Sequence, residues 1–276
     1  MASTATALPP MAPSADQDVP LWRLYLLRAT YLLLIVGLGT TIVPQLFDHD
    51  PTARGVIPGV LSGLWLLAFL GLRYPLQMLP LLLFELPWKR VWTLKYGLPQ
   101  YFAGTLPPTW AEDFPAIVAG VILMPIVIPW GYAWNRFIKM PPDSVVDGAS
   151  RIRLRVMRTV YVLLFIAGTF IIGRLFWNHM PMERGVFASM LIALFILNPL
   201  TIRNPLKMLP MLLLEFVWKL VWLAAFGLPQ LISGSGSARL GEDIYMVGLG
   251  PVFFGLLIPW GYVWRHYVKQ PGDRWR

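Results

Sequence analysis

Apolar residues dominate long stretches of this chain, at residues 24–44, 55–72, 76–98 and 114–134, and again at 154–174, 185–202, 206–228 and 244–264. A helix needs ~20 such residues to cross a ~30 Å hydrocarbon core. Lipid-facing barrel strands would have to alternate apolar and polar residues, and these runs do not. The pattern predicts an all-α polytopic membrane protein with eight transmembrane helices.

The second set of four runs lies 130 residues after the first. Arg54-Gly55-Val56 returns as Arg184-Gly185-Val186, and residues 73–100 return as 203–230 with Glu85/Glu215, Trp88/Trp218, Lys89/Lys219 and Trp92/Trp222 in register. Pro129-Trp130-Gly131-Tyr132 with Trp134 returns as Pro259-Trp260-Gly261-Tyr262 with Trp264, and Arg23, Arg28 and Tyr31 match Arg153, Arg158 and Tyr161. A register kept over a whole half without gaps is the mark of a duplicated structural unit. The sequence therefore reads as a parallel tandem of one four-helix unit, residues 21–146 and 147–276. Residues 1–20 are rich in Ala, Ser, Thr, Pro and Asp and read as a disordered cytoplasmic tail.

Composition agrees with a membrane location: 57% of residues are hydrophobic and only 13% are charged, about half the charge of an ordinary soluble domain. A net charge of +9 could suggest nucleic acid, but its placement argues against that partner. Arg23 and Arg28, the group Arg136 to Arg158, Arg265 to Arg276, and Arg73, Arg203 and Lys207 all fall on one face if every run crosses. Arg54, Arg174, Arg184 and Arg239 fall on the other. This asymmetry is the positive-inside pattern. It predicts a multi-pass protein of the cell inner membrane with both termini and the linker 140–150 in the cytoplasm, and the lipid bilayer as its first partner. The absence of cysteine excludes disulfides and thiolate chemistry.

Two motifs speak to packing. Gly55, Gly59 and Gly63 recur at four-residue spacing, and Gly185, Ser189 and Ala193 repeat the stripe. Small residues so spaced let two backbones approach closely in lipid. Trp130, Tyr132 and Trp134, with Trp260, Tyr262 and Trp264, are expected at the headgroup layer, which suits amphipathic rings.

The residues with the most chemistry are charged and intramembrane. Glu85 and Lys89 are four apart on one helix, as are Glu215 and Lys219, with the acid in the favourable N-terminal position. Charge at that depth marks a site or pathway unless it pairs internally. Pro87, Arg90 and Lys95 occur only in the first copy, where the second has Val217, Leu220 and Ala225. They make the first helix the candidate pathway, since a proline frees a carbonyl and extra charges need water or partners. Asp48, His49, Asp50, Glu112 and Asp113 could be imagined around a divalent cation, but the copy has Asn178 and Met180 in place of two of them. No metal is expected. No histidine lies deep in a run, no phosphate loop or catalytic spacing is present, and no cofactor is expected.

The favoured function is a non-catalytic scaffold or accessory subunit that binds other membrane-protein subunits. A small-solute or ion carrier working through the Glu/Lys pairs is the first alternative. A membrane enzyme acting on a lipid or quinone is the second. A dry bundle with its charge pairs closed on themselves would favour the scaffold.

Overall fold

The computed structural model describes residues 19–47, 55–144, 149–177, 182–234 and 240–276. The fold is all-helical. In chain order the elements are α1 Leu21–Thr41, α2 Val43–Phe47, α3 Val56–Arg73, α4 Leu79–Trp92, α5 Leu98–Ala103, α6 Pro108–Val127 and α7 Trp130–Trp134. They are followed by α8 Arg151–Trp177, α9 Met182–Arg203, α10 Leu209–Trp222, α11 Leu228–Ser233, α12 Leu240–Asp243, α13 Gly250–Leu257 and α14 Trp260–Val263. Among the described residues, six helices are long and apolar enough to cross a membrane: Leu21–Thr41, Val56–Arg73, Trp110–Val127, Arg151–Ile172, Gly185–Arg203 and Leu209–Ser233. The expected tail 1–20 lies almost wholly outside the described residues, as do Asp48, His49 and Asp50.

The run from α4 to α5 is long enough but carries Glu85, Lys89, Arg90 and Lys95. It stays helical from Leu79 to Ala103 through a π turn at Thr93–Gly97. A π turn recurs at Leu223–Gly227, joining α10 to α11. Both sit just upstream of a proline, Pro99 and Pro229, whose ring crowds the preceding turn and whose nitrogen cannot donate. The backbone widens instead, and the amides of Leu98 and Leu228 reach back five residues to the carbonyls of Thr93 and Leu223.

Two runs expected to be single helices are not. The helix over 114–134 ends at Val127, and the stretch 244–264 divides into a π turn Ile244–Gly248, α13 and α14. The breaks fall at Ile128 and Ile258, which are extended at ψ 122° and 127°. Each precedes a proline, and a residue in that position is driven out of the helical region. The carbonyls so released are met by side chains. Arg23 Nη1 donates to Ile128 O at 3.3 Å and Arg153 Nη1 to Ile258 O at 3.1 Å. Trp130 Nε1 donates to Pro125 O and Trp260 Nε1 to Gly255 O, each at 2.8 Å. The aromatic triplets thus lie on short separate helices beyond the break, with their Trp rings about half exposed.

The halves of the chain interleave. α3 packs between α1 and α10, while α9 packs between α8 and α4. The most apolar 18 residues of α3 and of α9 are each 56% buried, against 33% for α1 and 11% for α8, so α3 and α9 are central and α1 and α8 flank them.

The small-residue stripe is the seam of this arrangement. Gly63 lies on Trp218, Gly59 on Trp222 and Trp218, and Gly55 on Phe226. A Cβ at Gly63 would stand 2.9 Å from the Trp218 backbone nitrogen. Gly185 receives Tyr96 in the same way, and Ser189 and Ala193, one and two turns on, are fully buried. Gly55 itself departs from the expected span. It precedes α3 at φ 73°, a left-handed conformation open to glycine without strain. What fills the first groove is an aromatic ridge at four-residue spacing, Trp218, Trp222 and Phe226, and Tyr96 of the matching series Trp88, Trp92 and Tyr96 lies on Gly185.

On the face that carries Arg73 and Arg203, two extended segments cross over. Residues 140–144 close the α9–α10 turn, where Asp143 Oδ2 accepts the amides of Leu206 at 2.7 Å and Lys207 at 3.0 Å. Residues 270–276 close the α3–α4 turn, where Asp273 Oδ2 accepts the Leu76 amide at 2.9 Å. Arg158 Nη2 donates to Asp143 O at 2.5 Å, and Arg28 Nη2 donates to Asp273 O at 2.8 Å. Arg28 also lies 3.8 Å over the Trp275 ring. Lys207, tied to Asp143 at 3.5 Å, has its pKa lowered by burial, with Asp143 pulling the other way.

Candidate functional site

α4 and α10 both start with a proline in the first turn, where a missing amide costs nothing. From there the 3.6-residue period puts Glu85, Trp88 and Lys89 on one face, and Glu215, Trp218 and Lys219 likewise. Glu85 is 1% exposed. One of its oxygens accepts Trp88 Nε1 at 2.7 Å, and the other pairs with Lys89 Nζ at 2.5 Å. In the second half, Glu215 Oε2 accepts both Trp218 Nε1, at 3.3 Å, and Lys219 Nζ.

Each lysine stem needs room. A Cβ at Gly120 of α6 would lie 2.9 Å from Lys89 Cδ, and a Cβ at Gly250 of α13 would overlap the Lys219 stem. Glycine at these positions lets the fourth run of each half close over the ion pair. Lys219 Nζ also sits 4.0 Å over the Trp218 ring and 4.7 Å over Phe254, where a ring face attracts a desolvated cation. Each glutamate therefore has an indole donor and an ammonium within its own helix. A buried charge pair satisfied this way is tolerated. Both oxygens of Glu85 are engaged, whereas Glu215 uses Oε2 for both contacts.

The first-half residues read as a pathway do not converge on this pair. Arg90 is exposed, and one residue of rotation per 100° turns it away from the face of Glu85 and Lys89. Pro87 is half-buried, and Lys95 is half-buried with Nζ 5.4 Å over the Tyr96 ring. Among the described residues no group of three acidic or histidine side chains could hold a metal. Glu112 and Asp113 are exposed at the start of α6, while His49, His179 and their neighbours lie outside the described residues.

Two components of the site were missed at the level of sequence: the indole of Trp88 and Trp218, and the glycine opposite each lysine. Both left a signal. The tryptophan follows its glutamate by three residues in each half, and Gly120 and Gly250 recur at the common offset of 130. Comparisons with protein-family models, curated proteins and solved structures find no match for this chain.

Proposed function

We propose that this chain is a non-catalytic accessory or scaffold subunit of a complex in the cell inner membrane. It is built as a tandem duplication of a four-helix unit, crosses eight times and keeps both termini and the linker on the cytoplasmic side. The observation that carries the function is the closure of both charge pairs: Glu85 with Trp88 and Lys89, and Glu215 with Trp218 and Lys219. A pathway would leave one of those charges a polar neighbour outside its own helix, and a catalytic role for Glu85 would need an oxygen free of Trp88 and Lys89. Supporting the duplication, α4, the π turn and α5 at residues 79–103 have counterparts with the same bounds at 209–233, shifted by 130. Supporting eight crossings, an even number in each half keeps the arginine-bearing segments at 136–158 and 265–276 on one face.

A carrier is the second reading, and one observation favours it. The Trp92 indole nitrogen, the Thr93 hydroxyl and the Tyr96 hydroxyl are buried without a hydrogen-bond partner among the described residues, as a polar solute or water site in the first half would require. One experiment separates the two readings. The chain is purified from its native membrane in mild detergent and, separately, reconstituted alone in vesicles. Stoichiometric membrane partners and ion-tight vesicles are expected. Purification as a single component, together with solute or proton flux that falls in Glu85→Gln, would refute the subunit and establish the carrier.

A further inference from the structure

Among the described residues, Arg90 is a charge midway along its helix that the bundle leaves unanswered. It is eleven residues beyond Leu79, the first residue of α4, and so ~16 Å along a helix that rises ~1.5 Å per residue. That is near the middle of a ~30 Å hydrocarbon core. Its side chain is exposed on the outer surface and makes no hydrogen bond or ion pair among the described residues. Leu94, one turn on, is 68% exposed on the same side. The nearest headgroups are half a membrane away, further than an arginine side chain can snorkel. An arginine left in lipid at that depth is costly, and it is met by a partner or by water.

The other half shows what a lipid-facing surface looks like at the same place. Position 220 is Leu, 40% exposed, and Leu228, Leu231 and Ile232 continue it with 44%, 58% and 85% exposure. The first half has therefore gained a cation where its copy keeps hydrocarbon. A second copy of this chain cannot answer it. Among the described acidic residues, only Glu85 and Glu215 lie at comparable depth, and each is held by its own lysine. Glu112 and Asp113 stand in the second turn of α6, Glu183, Glu242 and Asp243 at the starts of α9 and α12, and Asp143 and Asp273 in the extended segments.

We propose that Arg90 is the docking residue for a transmembrane helix of a different membrane protein, one that carries an aspartate or glutamate at mid-depth. This rests on the reading above, that α4 crosses the membrane and that the chain is a subunit. The two charges complete an ion pair across the interface, flanked by Leu94 and Pro87, and the incoming carboxylate takes the guanidinium in the two-pronged geometry that arginine favours.

The full chain, purified and placed in phosphatidylcholine vesicles, is titrated with a leucine-rich transmembrane peptide carrying one central glutamate. The same peptide with glutamine is the control, and energy transfer reports association. The glutamate peptide is expected to associate about tenfold more tightly than the glutamine peptide, a preference of ~1.4 kcal/mol. Arg90→Leu, which copies the residue at position 220, should abolish the preference at unchanged melting temperature, and Arg90→Lys should keep part of it. Equal association of both peptides, or a preference that survives Arg90→Leu, overturns the proposal.

In native membranes, a photo-crosslinking residue at position 94 should capture a spanning segment that contains an acidic residue, and Arg90→Leu should remove that adduct. An adduct to lipid alone, or to another copy of this chain, overturns the proposal. Partners that co-purify regardless of Arg90 would refute the docking residue and leave the subunit reading intact. A glutamate preference in vesicles with no partner in native membranes would refute the subunit reading and the docking proposal with it.

Discussion

Adding one methyl group at Gly63 tests the central seam. An alanine Cβ there would lie 2.8 Å from Trp218 Cβ, 2.9 Å from its backbone nitrogen and 3.0 Å from its Cα. Ordinary contact begins at 3.4 Å, so the overlap is roughly half an ångström, and two of the three atoms belong to a helix backbone that cannot swing aside. α3 and α10 must separate, and separation also loosens Gly59 on Trp222 and Gly55 on Phe226. Overpacking of this kind costs about 1–3 kcal/mol. Alanine regains up to ~1 kcal/mol through its better helix propensity. With the full regain a net loss of up to about 2 kcal/mol remains, or a fall in melting temperature of up to roughly 8 °C at about 2–4 °C per kcal/mol.

Two other glycines calibrate the effect. At Gly59 the nearest atom is the Trp222 Cβ at 3.3 Å, so Gly59→Ala should be close to neutral. At Gly37, on the outer face of α1, nothing lies within 4 Å, and Gly37→Ala should be neutral or slightly stabilising. Thermal unfolding of the three variants in one detergent, followed by tryptophan fluorescence, gives the order. A Gly63→Ala protein that melts at or above Gly37→Ala would remove the stripe as the place where the backbones meet.

Glu85→Leu and Glu215→Leu should each lower stability by about 3–5 kcal/mol, because each strands a buried lysine. Adding Lys89→Met or Lys219→Met should recover most of that loss in the same melt, and a double variant as unstable as its single parent would contradict the closed-pair description. Asp143→Ala should speed hydrogen exchange at the Leu206 and Lys207 amides and leave Leu76 protected, and Asp273→Ala should do the reverse. Loss of protection at the near-sequence turn instead of the partnered one would show that the two segments do not cross over.

Much of the fold was legible because lipid enforces it. Run length and lack of alternation were enough for helices, and the offset of 130 relates α4 to α10 almost residue by residue. The breaks at Ile128 and Ile258 were also within reach, since each residue precedes a proline; hydrophobicity continues straight through them and hid the change of direction. The glutamate's indole partner was readable as an i, i+3 spacing. The groove and its aromatic ridge were only half readable. The stripe Gly55, Gly59, Gly63 announces that something approaches closely, but nothing local says that the visitor is α10 rather than a neighbour within the same half. Arg90 was grouped with the Glu85 pair by proximity in sequence, and helical rotation separates them. Contacts between distant segments have no local signature, which is why the exchange of Asp143 and Asp273 went unseen.

That exchange gives the protein a clock. Asp143 reaches Leu206 across 63 residues of chain, and by the time the α9–α10 turn is made its cap already exists. The α3–α4 turn has the opposite fate, because Leu76 and Asp273 are 197 residues apart. At about 5–20 residues per second, the ribosome leaves that turn open for roughly 10–40 s after it is built. During this interval the α3–α4 turn and the Arg28 pocket are exposed to the insertion machinery and to whatever binds nascent membrane chains. The half synthesised first is thus the half sealed last, and its docking residue on α4 is displayed before the protein has locked.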